Sequence, residues 1–261
     1  MDLHQGFRGP AAGPARALMS FLHEVDQLPD LVPIRRALRA AAAPLPGQRV
    51  LDAGCGIGLE TRRLAEAYPD AAVTGLDVNG DLLELARDGA PANLEYVEGD
   101  LLDGLDDRYD VVRTERVLMY LPDAALDELV DALAPGGRIA LFELDYGATL
   151  LAPGRGTDTV LERVEAAMRA ALPQPFMGRR LPRLLLERGL ADVTARPFVF
   201  RVSEPVWRGI VHGTLRDLDR ELNEWLDEQA DAAVRGEFVA AFTGMLCTAR
   251  RGRFRAASAA P

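Results

Sequence analysis

Two spacings of apolar residues divide the chain near Gly47. Before it, from about Ala15 to Ala43, apolar side chains recur at helical intervals with breaks near Pro29 and Pro33, which predicts two N-terminal helices closed by the turn Pro44-Leu45-Pro46-Gly47. After it, short apolar runs alternate with amphipathic stretches. Strands are expected over Arg49 to Ala53, Ala72 to Leu76, Leu94 to Val97, Tyr109 to Arg113 and Arg138 to Glu143, the last entered through a turn at Pro135-Gly136-Gly137. Helices are expected over Glu60 to Tyr68, Gly80 to Arg87 and Asp123 to Leu133. Such alternation implies right-handed crossovers and a mostly parallel α/β sheet with helices on both faces.

The second half breaks the alternation. Asp158 to Leu172 and Arg180 to Arg188 read as helices, Val193 to Val202 as a strand, Pro205 to Asp219 and Glu221 to Ala233 as amphipathic helices, and Phe238 to Ala249 as the last strand. A helical pair is long for a connection between two strands, so residues 204–236 are expected to form a lid, with an oligomer contact as the rival role. The expected organisation is an N-terminal helical cap over residues 1–46 and a Rossmann-like domain over 47–261.

Composition narrows the chemistry. The chain of 261 residues has a net charge of −10, which argues against nucleic acid as a partner, since phosphate binding favours a basic face. All 30 Lys-plus-Arg residues are arginine, so chemistry that needs a lysine amine or a phosphate-loop lysine is excluded. Cys55 and Cys247 have no metal-like spacing and read as reduced thiols; no metal site is expected. Met1 to Gly13 lacks the apolar core of a secretion signal and no apolar run is long enough to span a bilayer, so a cytoplasmic protein with no membrane partner is expected.

The sharpest local signal is Val50-Leu51-Asp52-Ala53-Gly54-Cys55-Gly56-Ile57-Gly58, an apolar strand ending in an acid and a glycine turn that opens a helix. Leu59 stands where a dinucleotide fingerprint wants glycine, and Asp52 would repel a pyrophosphate but suits a ligand carrying an ammonium group. Asp77 ends the second strand about 20 residues further on, where a carboxylate can hold both ribose hydroxyls, while capping of the next helix falls to Asn79. Asp100 follows the third strand. Three acids at successive strand ends would face the carboxyl edge where open α/β sheets bind ligands.

With VLDAGCGIG, the acid of GLDVN, GDLL and LAPGGRIALFE, residues from about Arg49 to Glu143 resemble the class I S-adenosylmethionine-dependent methyltransferases. The run from Tyr109 to Pro122 looks like the subgroup related to ubiquinone and menaquinone biosynthesis methyltransferases, which includes bacterial natural-product enzymes. The resemblance implies a seven-stranded Rossmann-like sheet with an antiparallel last strand, and S-adenosylmethionine as cofactor. It implies that Gly54, Cys55 and Gly56, beside Asp52 and Gly58, line the methionine part and that Asp77 holds the ribose. Val78 and Leu82 would lie beside the adenine, Asp100 and Leu101 against its ring, and Thr114 below the methionine part.

Arg113-Thr114-Glu115-Arg116 occupies the place of the Asn/Asp-Pro-Pro-aromatic motif of amino-group enzymes acting on adenine or glutamine, and neither cysteine sits in a Pro-Cys context, so those classes are set aside. A small-molecule O-, N- or C-methyltransferase of secondary metabolism is expected, as monomer or homodimer. A protein using the same cofactor without methyl transfer, such as a cyclase, is the alternative, and a nicotinamide oxidoreductase the last. For proton transfer the candidates are His212 in the lid, Tyr120 and Asp145, the last in Phe-Glu-Leu-Asp-Tyr with Glu143. A surface histidine, a rim tyrosine and an arginine-paired or capping acid are their plainer roles. Phe176, Met177, Trp207 and Trp225 are candidates for an apolar wall or for core, and Arg179, Arg180 and Arg183 for an anion site or a solvated helix face. Glu24 and Arg35 are candidates to close over the cofactor.

Overall fold

The computed structural model describes residues 15–154, 157–214 and 219–252. Two helices open it, α1 (Ala15–Asp26) and α2 (Leu31–Ala41). In α2 the buried residues Leu31, Ile34, Arg35 and Leu38 fall on one stripe, and Pro33 lies in the first turn, where its missing N–H costs nothing. The chain therefore breaks at Gln27 to Asp30 and not at Pro33.

The alternating region follows as β1 (Arg49–Ala53), α3 (Leu59–Ala67), β2 (Ala72–Asp77), α4 (Gly80–Arg87), β3 (Leu94–Glu98), β4 (Tyr109–Glu115), α5 (Ala124–Asp131) and β5 (Leu133–Pro153). Then come α6 (Asp158–Ala170), α7 (Met177–Glu187), β6 (Ala191–Arg201), α8 (Glu204–Thr214), α9 (Arg220–Val234) and β7 (Phe238–Arg250). Asn79 caps α4 by accepting from the Leu82 amide at 3.3 Å, as its side-chain chemistry predicts.

The strands form one sheet in the order β3-β2-β1-β4-β5-β7-β6. β1 to β5 are parallel neighbours, and β7 runs antiparallel to both β5 and β6. The order reverses between β1 and β4, so the carboxyl ends of these two strands flank the crevice where such sheets take ligands.

β5 departs from expectation. Its 21 residues begin at Leu133, so Pro135-Gly136-Gly137 is not a turn but a register shift against β4. Its far end continues to Pro153 because β7 is long enough to pair with it from Arg138↔Arg250 to Pro153↔Phe238, with a second irregularity between Asp145 and Leu150. That irregularity re-aims the backbone next to the crevice.

Candidate active site

At the carboxyl edge of β1, Gly54, Gly56 and Gly58 have φ of 72°, 56° and 70°. Gly54 is also fixed by packing, since a Cβ there would lie 2.3 Å from Val117 Cγ2. The amide of Gly56 donates to Asp77 Oδ2 at 2.7 Å and that of Asn79 to Oδ1 at 2.9 Å. Burial pushes the Asp77 carboxyl above its ordinary value, against these backbone hydrogen bonds. Each oxygen of Asp77 keeps acceptor capacity toward the crevice beside it.

Asp52 lies beside Arg113 in the β1–β4 register. Its carboxylate accepts from Thr61 Oγ1 at 2.6 Å and pairs with Arg113 Nε at 3.2 Å. Burial raises its pKa and Arg113 opposes that. Next along β4, Glu115 is ringed by Arg35, Arg113 and Arg116 at 3.2, 3.4 and 3.4 Å. Burial alone would raise the Glu115 carboxyl, but the three guanidiniums outweigh it and hold it below the usual range. Arg35 pairs in addition with Asp26, which Arg63 of α3 also binds, and Arg63 reaches Glu60. A continuous ion-pair network thus ties α1 and α2 to the end of β4.

Arg35, Asp52, Glu60, Asp77, Arg113 and Glu115 border one cavity of about 620 Å³, inside the range of about 300–1,000 Å³ usual for small-molecule sites. One end holds the predicted residues Asp52, Gly54, Cys55, Gly56, Asp77, Val78, Leu82, Asp100 and Leu101. Asp100 also caps the following turn by accepting from the Leu102 amide at 2.9 Å. The other end is apolar: Phe200, Phe242 and Tyr146 form its floor, with Phe200 and Phe242 stacked at 6.1 Å and Tyr146 edge-on to Phe242 at 5.4 Å. Val206 and Ile210 of α8 and Phe21 and Val25 of α1 line it too, and these helices touch closely, since a Cβ on Gly209 would meet Phe21 at 2.6 Å.

Several predicted residues lie elsewhere. Gly58 does not line the cavity; its Cβ position is taken by the Tyr96 hydroxyl at 2.2 Å. Thr114 is fully buried outside the cavity, because strand alternation turns it away from the face of Arg113 and Glu115. Asp145 is likewise absent from the lining while its neighbours Leu144 and Tyr146 belong to it; its carboxylate pairs with Arg179 and accepts from the Gly147 amide at 3.0 Å. Glu143 is wholly buried and accepts from the amides of Val117, Leu118 and Met119, which fixes the turn after β4. Tyr120 lines the cavity, and the side chain of His212 falls outside the described residues.

Of the wall candidates, Met177, Trp207 and Trp225 are core residues and Phe176 lies under Arg179. Arg180 pairs with Asp123 and Arg183 with Glu187, while Glu24 is exposed. Sequence reasoning missed Tyr146, Phe200, Phe242 and Arg116. The alternation Phe198, Phe200 on one face of β6, followed by Val202, is the available signal for the aromatic floor.

Residues 50–137 match the family described as "Methyltransferase domain". A trans-aconitate 2-methyltransferase of Methylobacterium radiotolerans is 34% identical over 183 residues, covering 68% of this chain and 66% of that protein. Residues 50–137 of this chain are a methyltransferase domain of the class I S-adenosylmethionine-dependent kind. A trans-aconitate 2-methyltransferase of Deinococcus radiodurans is 35% identical over 108 residues, covering 41% of this chain and 42% of its own length. The matched stretches span less than two thirds of either relative. In three dimensions, phosphoethanolamine N-methyltransferase 2 of Haemonchus contortus in complex with S-adenosyl-L-methionine shares the fold, at a TM-score of 0.55 and 16% identity over 85% of this chain and 53% of that one.

The family's cofactor fits this cavity. The glycine turn leaves open space at Gly56, where a Cβ would have only Leu22 nearby at 3.6 Å, and a buried carboxylate steadied by two amides borders the same cavity. Among the described residues no helix is long and apolar enough to cross a membrane.

Proposed function

We propose that the chain transfers a methyl group from S-adenosylmethionine to a small organic molecule held in the apolar end of the cavity. The observation that carries this reading is the continuity of one cavity from Asp77 to the floor of Phe200, Phe242 and Tyr146. Asp77 would hold the ribose hydroxyls, Leu82 and Leu101 the adenine, and the glycine turn with Asp52 the methionine end. When bound there, the cofactor supplies a methyl group on a sulfonium, already activated for in-line displacement.

The chain's own part is then alignment and exclusion of water. The aromatic floor and the roof of α1 and α8 surround the acceptor with hydrocarbon on both sides. Glu143, by holding the amides of Val117 to Met119, fixes the turn that separates the two ends. The resemblance of Tyr109 to Pro122 to the subgroup with natural-product enzymes supports an acceptor from secondary metabolism.

Titration calorimetry with S-adenosylhomocysteine tests the reading. Wild-type protein should bind it and ignore a nicotinamide dinucleotide, and Asp77→Ala should weaken binding at least tenfold. Unchanged affinity in Asp77→Ala, or dinucleotide binding, overturns it.

A further inference from the structure

Arg116 follows β4 at the junction of the two ends of the cavity and lines it. Its φ of 60° lies in the left-handed region, which a residue with a Cβ seldom adopts, and its amide donates to the Phe142 carbonyl at 2.8 Å to hold that conformation. Its Nε is buried without a hydrogen-bond partner among the described residues, where its ion pair is the 3.4 Å contact with Glu115, which Arg35 and Arg113 share. Arg35 and Arg113 each hold a second acid, Asp26 and Asp52. Among the described residues Arg116 has no second ion pair, and its positive charge is felt by the buried Glu143 and by Tyr146 of the aromatic floor. Strain together with an orphaned buried donor at a cavity wall is the mark of a ligand contact.

The acids and bases around the acceptor end point the same way. Among the described lining residues there is no histidine. Tyr146 is pushed well above its ordinary pKa by burial, and Asp145 and Glu143 are engaged outside the cavity. Among the described lining residues a phenol, alcohol or ammonium acceptor would have to give its proton to a carboxylate already engaged with arginine, such as Glu115 or Asp52, whereas a carboxylate arrives ionised at neutral pH.

We propose that Arg116 binds the carboxylate of the acceptor and that the acceptor is a monocarboxylic acid with an apolar body, the body lying on the Phe200–Phe242–Tyr146 floor. A carboxylate oxygen takes the methyl group, the electron pair of the broken bond stays on sulfur, and the product is a methyl ester with no proton released. The acceptor end is otherwise lined mostly by hydrocarbon, so a tricarboxylate such as trans-aconitate is a poor fit. The proposal rests on the methyl-transfer reading above.

The test uses full-length protein saturated with S-adenosylhomocysteine, titrated with trans-cinnamate and octanoate, with their alcohols, and with trans-aconitate. At least one monocarboxylate should bind tenfold or more tighter than its alcohol and than trans-aconitate. Arg116→Gln should erase that preference while changing S-adenosylhomocysteine affinity less than twofold. Arg116→Gly, which relieves the backbone, should unfold at the same or a higher temperature and lose the preference too. The proposal is overturned if neither monocarboxylate is preferred, if trans-aconitate binds tightest, or if Arg116→Gln keeps the preference. It is also overturned if that variant instead loses S-adenosylhomocysteine tenfold, since the arginine then serves the nucleoside's own carboxylate. Wild-type protein that fails to bind S-adenosylhomocysteine sinks the underlying reading, a result distinct from these.

Discussion

Arg35 Nε lies 3.2 Å from Glu115 Oε1, an ion pair across 80 residues of sequence that joins α2 to the carboxyl end of β4, with both side chains at most 10% exposed. Removing Arg35 leaves two buried acids each short of one partner, while Arg113, Arg116 and Arg63 stay beside them, so the cost is about 3 kcal/mol, the lower end for a broken buried pair. Arg35→Met should therefore lower stability by about that amount in chemical denaturation. It should also weaken S-adenosylhomocysteine binding, because α1 and α2 lose their tie to the cavity. The double variant Arg35→Met/Glu115→Gln should recover part of the stability; if it is no better than the single variant, the pair does not act as a unit.

The contact between Gly54 and Val117 gives a second expectation. Gly54→Ala adds a methyl that meets Val117 at 2.3 Å and forces alanine to φ near 72°. The backbone part costs about 1–2 kcal/mol and the overpacking about 1–3 kcal/mol. Adding Val117→Ala should relieve only the second. Thermal unfolding of both variants separates the two, and full rescue by Val117→Ala would show that the backbone carries no strain.

Glu143 sets a pH dependence. Burial pushes its carboxyl up to about 7 from an ordinary value of 4.5, against three amide donors. An acid whose folded pKa is raised binds its proton more readily in the folded state, so its effect on stability grows less favourable as pH rises from about 4.5 to 7. A shift of that size corresponds to about 3 kcal/mol over the interval. Glu143→Gln keeps one acceptor for Val117 and Leu118, loses the bond to Met119 worth about 1 kcal/mol, and should flatten that slope. Denaturation curves at several pH values decide it, an unchanged slope counting against Glu143 as the source.

The floor of the acceptor end allows a fourth test. Phe242 is 1% exposed and touches both Tyr146 and Phe200. Phe242→Leu keeps most of the apolar volume, so its stability cost should stay below about 1.5 kcal/mol. Its acceptor KM should rise several-fold with S-adenosylhomocysteine affinity unchanged. An equal loss at both ligands would mean that the floor serves the whole cavity.

What was legible in the sequence was local. Asp52, Gly54, Cys55 and Gly56 and the acids Asp77 and Asp100 are short-range signals, and each lies along the cavity because a strand end and its following turn are set by neighbouring residues. Gly58 and Thr114 sit within the same motifs, but their roles depend on Tyr96 and on strand alternation, which spacing alone did not reveal. Asp145 lies outside the cavity for a similar reason: Arg179, 34 residues away, claims it. The aromatic floor needs β5, β6 and β7 in register, and the ring of arginines around Glu115 needs α2 folded against β4. Neither arrangement has a local signature.

The bend of β5 beyond Asp145 gives the molecule a division of labour. Everything from Asp52 to Leu101 that meets the nucleoside end comes from the first half of the chain, while Tyr146, Phe200, Val206 and Phe242 come from the second. The residues matched by the methyltransferase domain, 50–137, stop short of that bend. Two lineages could thus share one nucleoside grip and exchange the later segment wholesale, keeping the methyl donor while changing its recipient. The seam for such a graft lies where β5 crosses from one half of the cavity to the other.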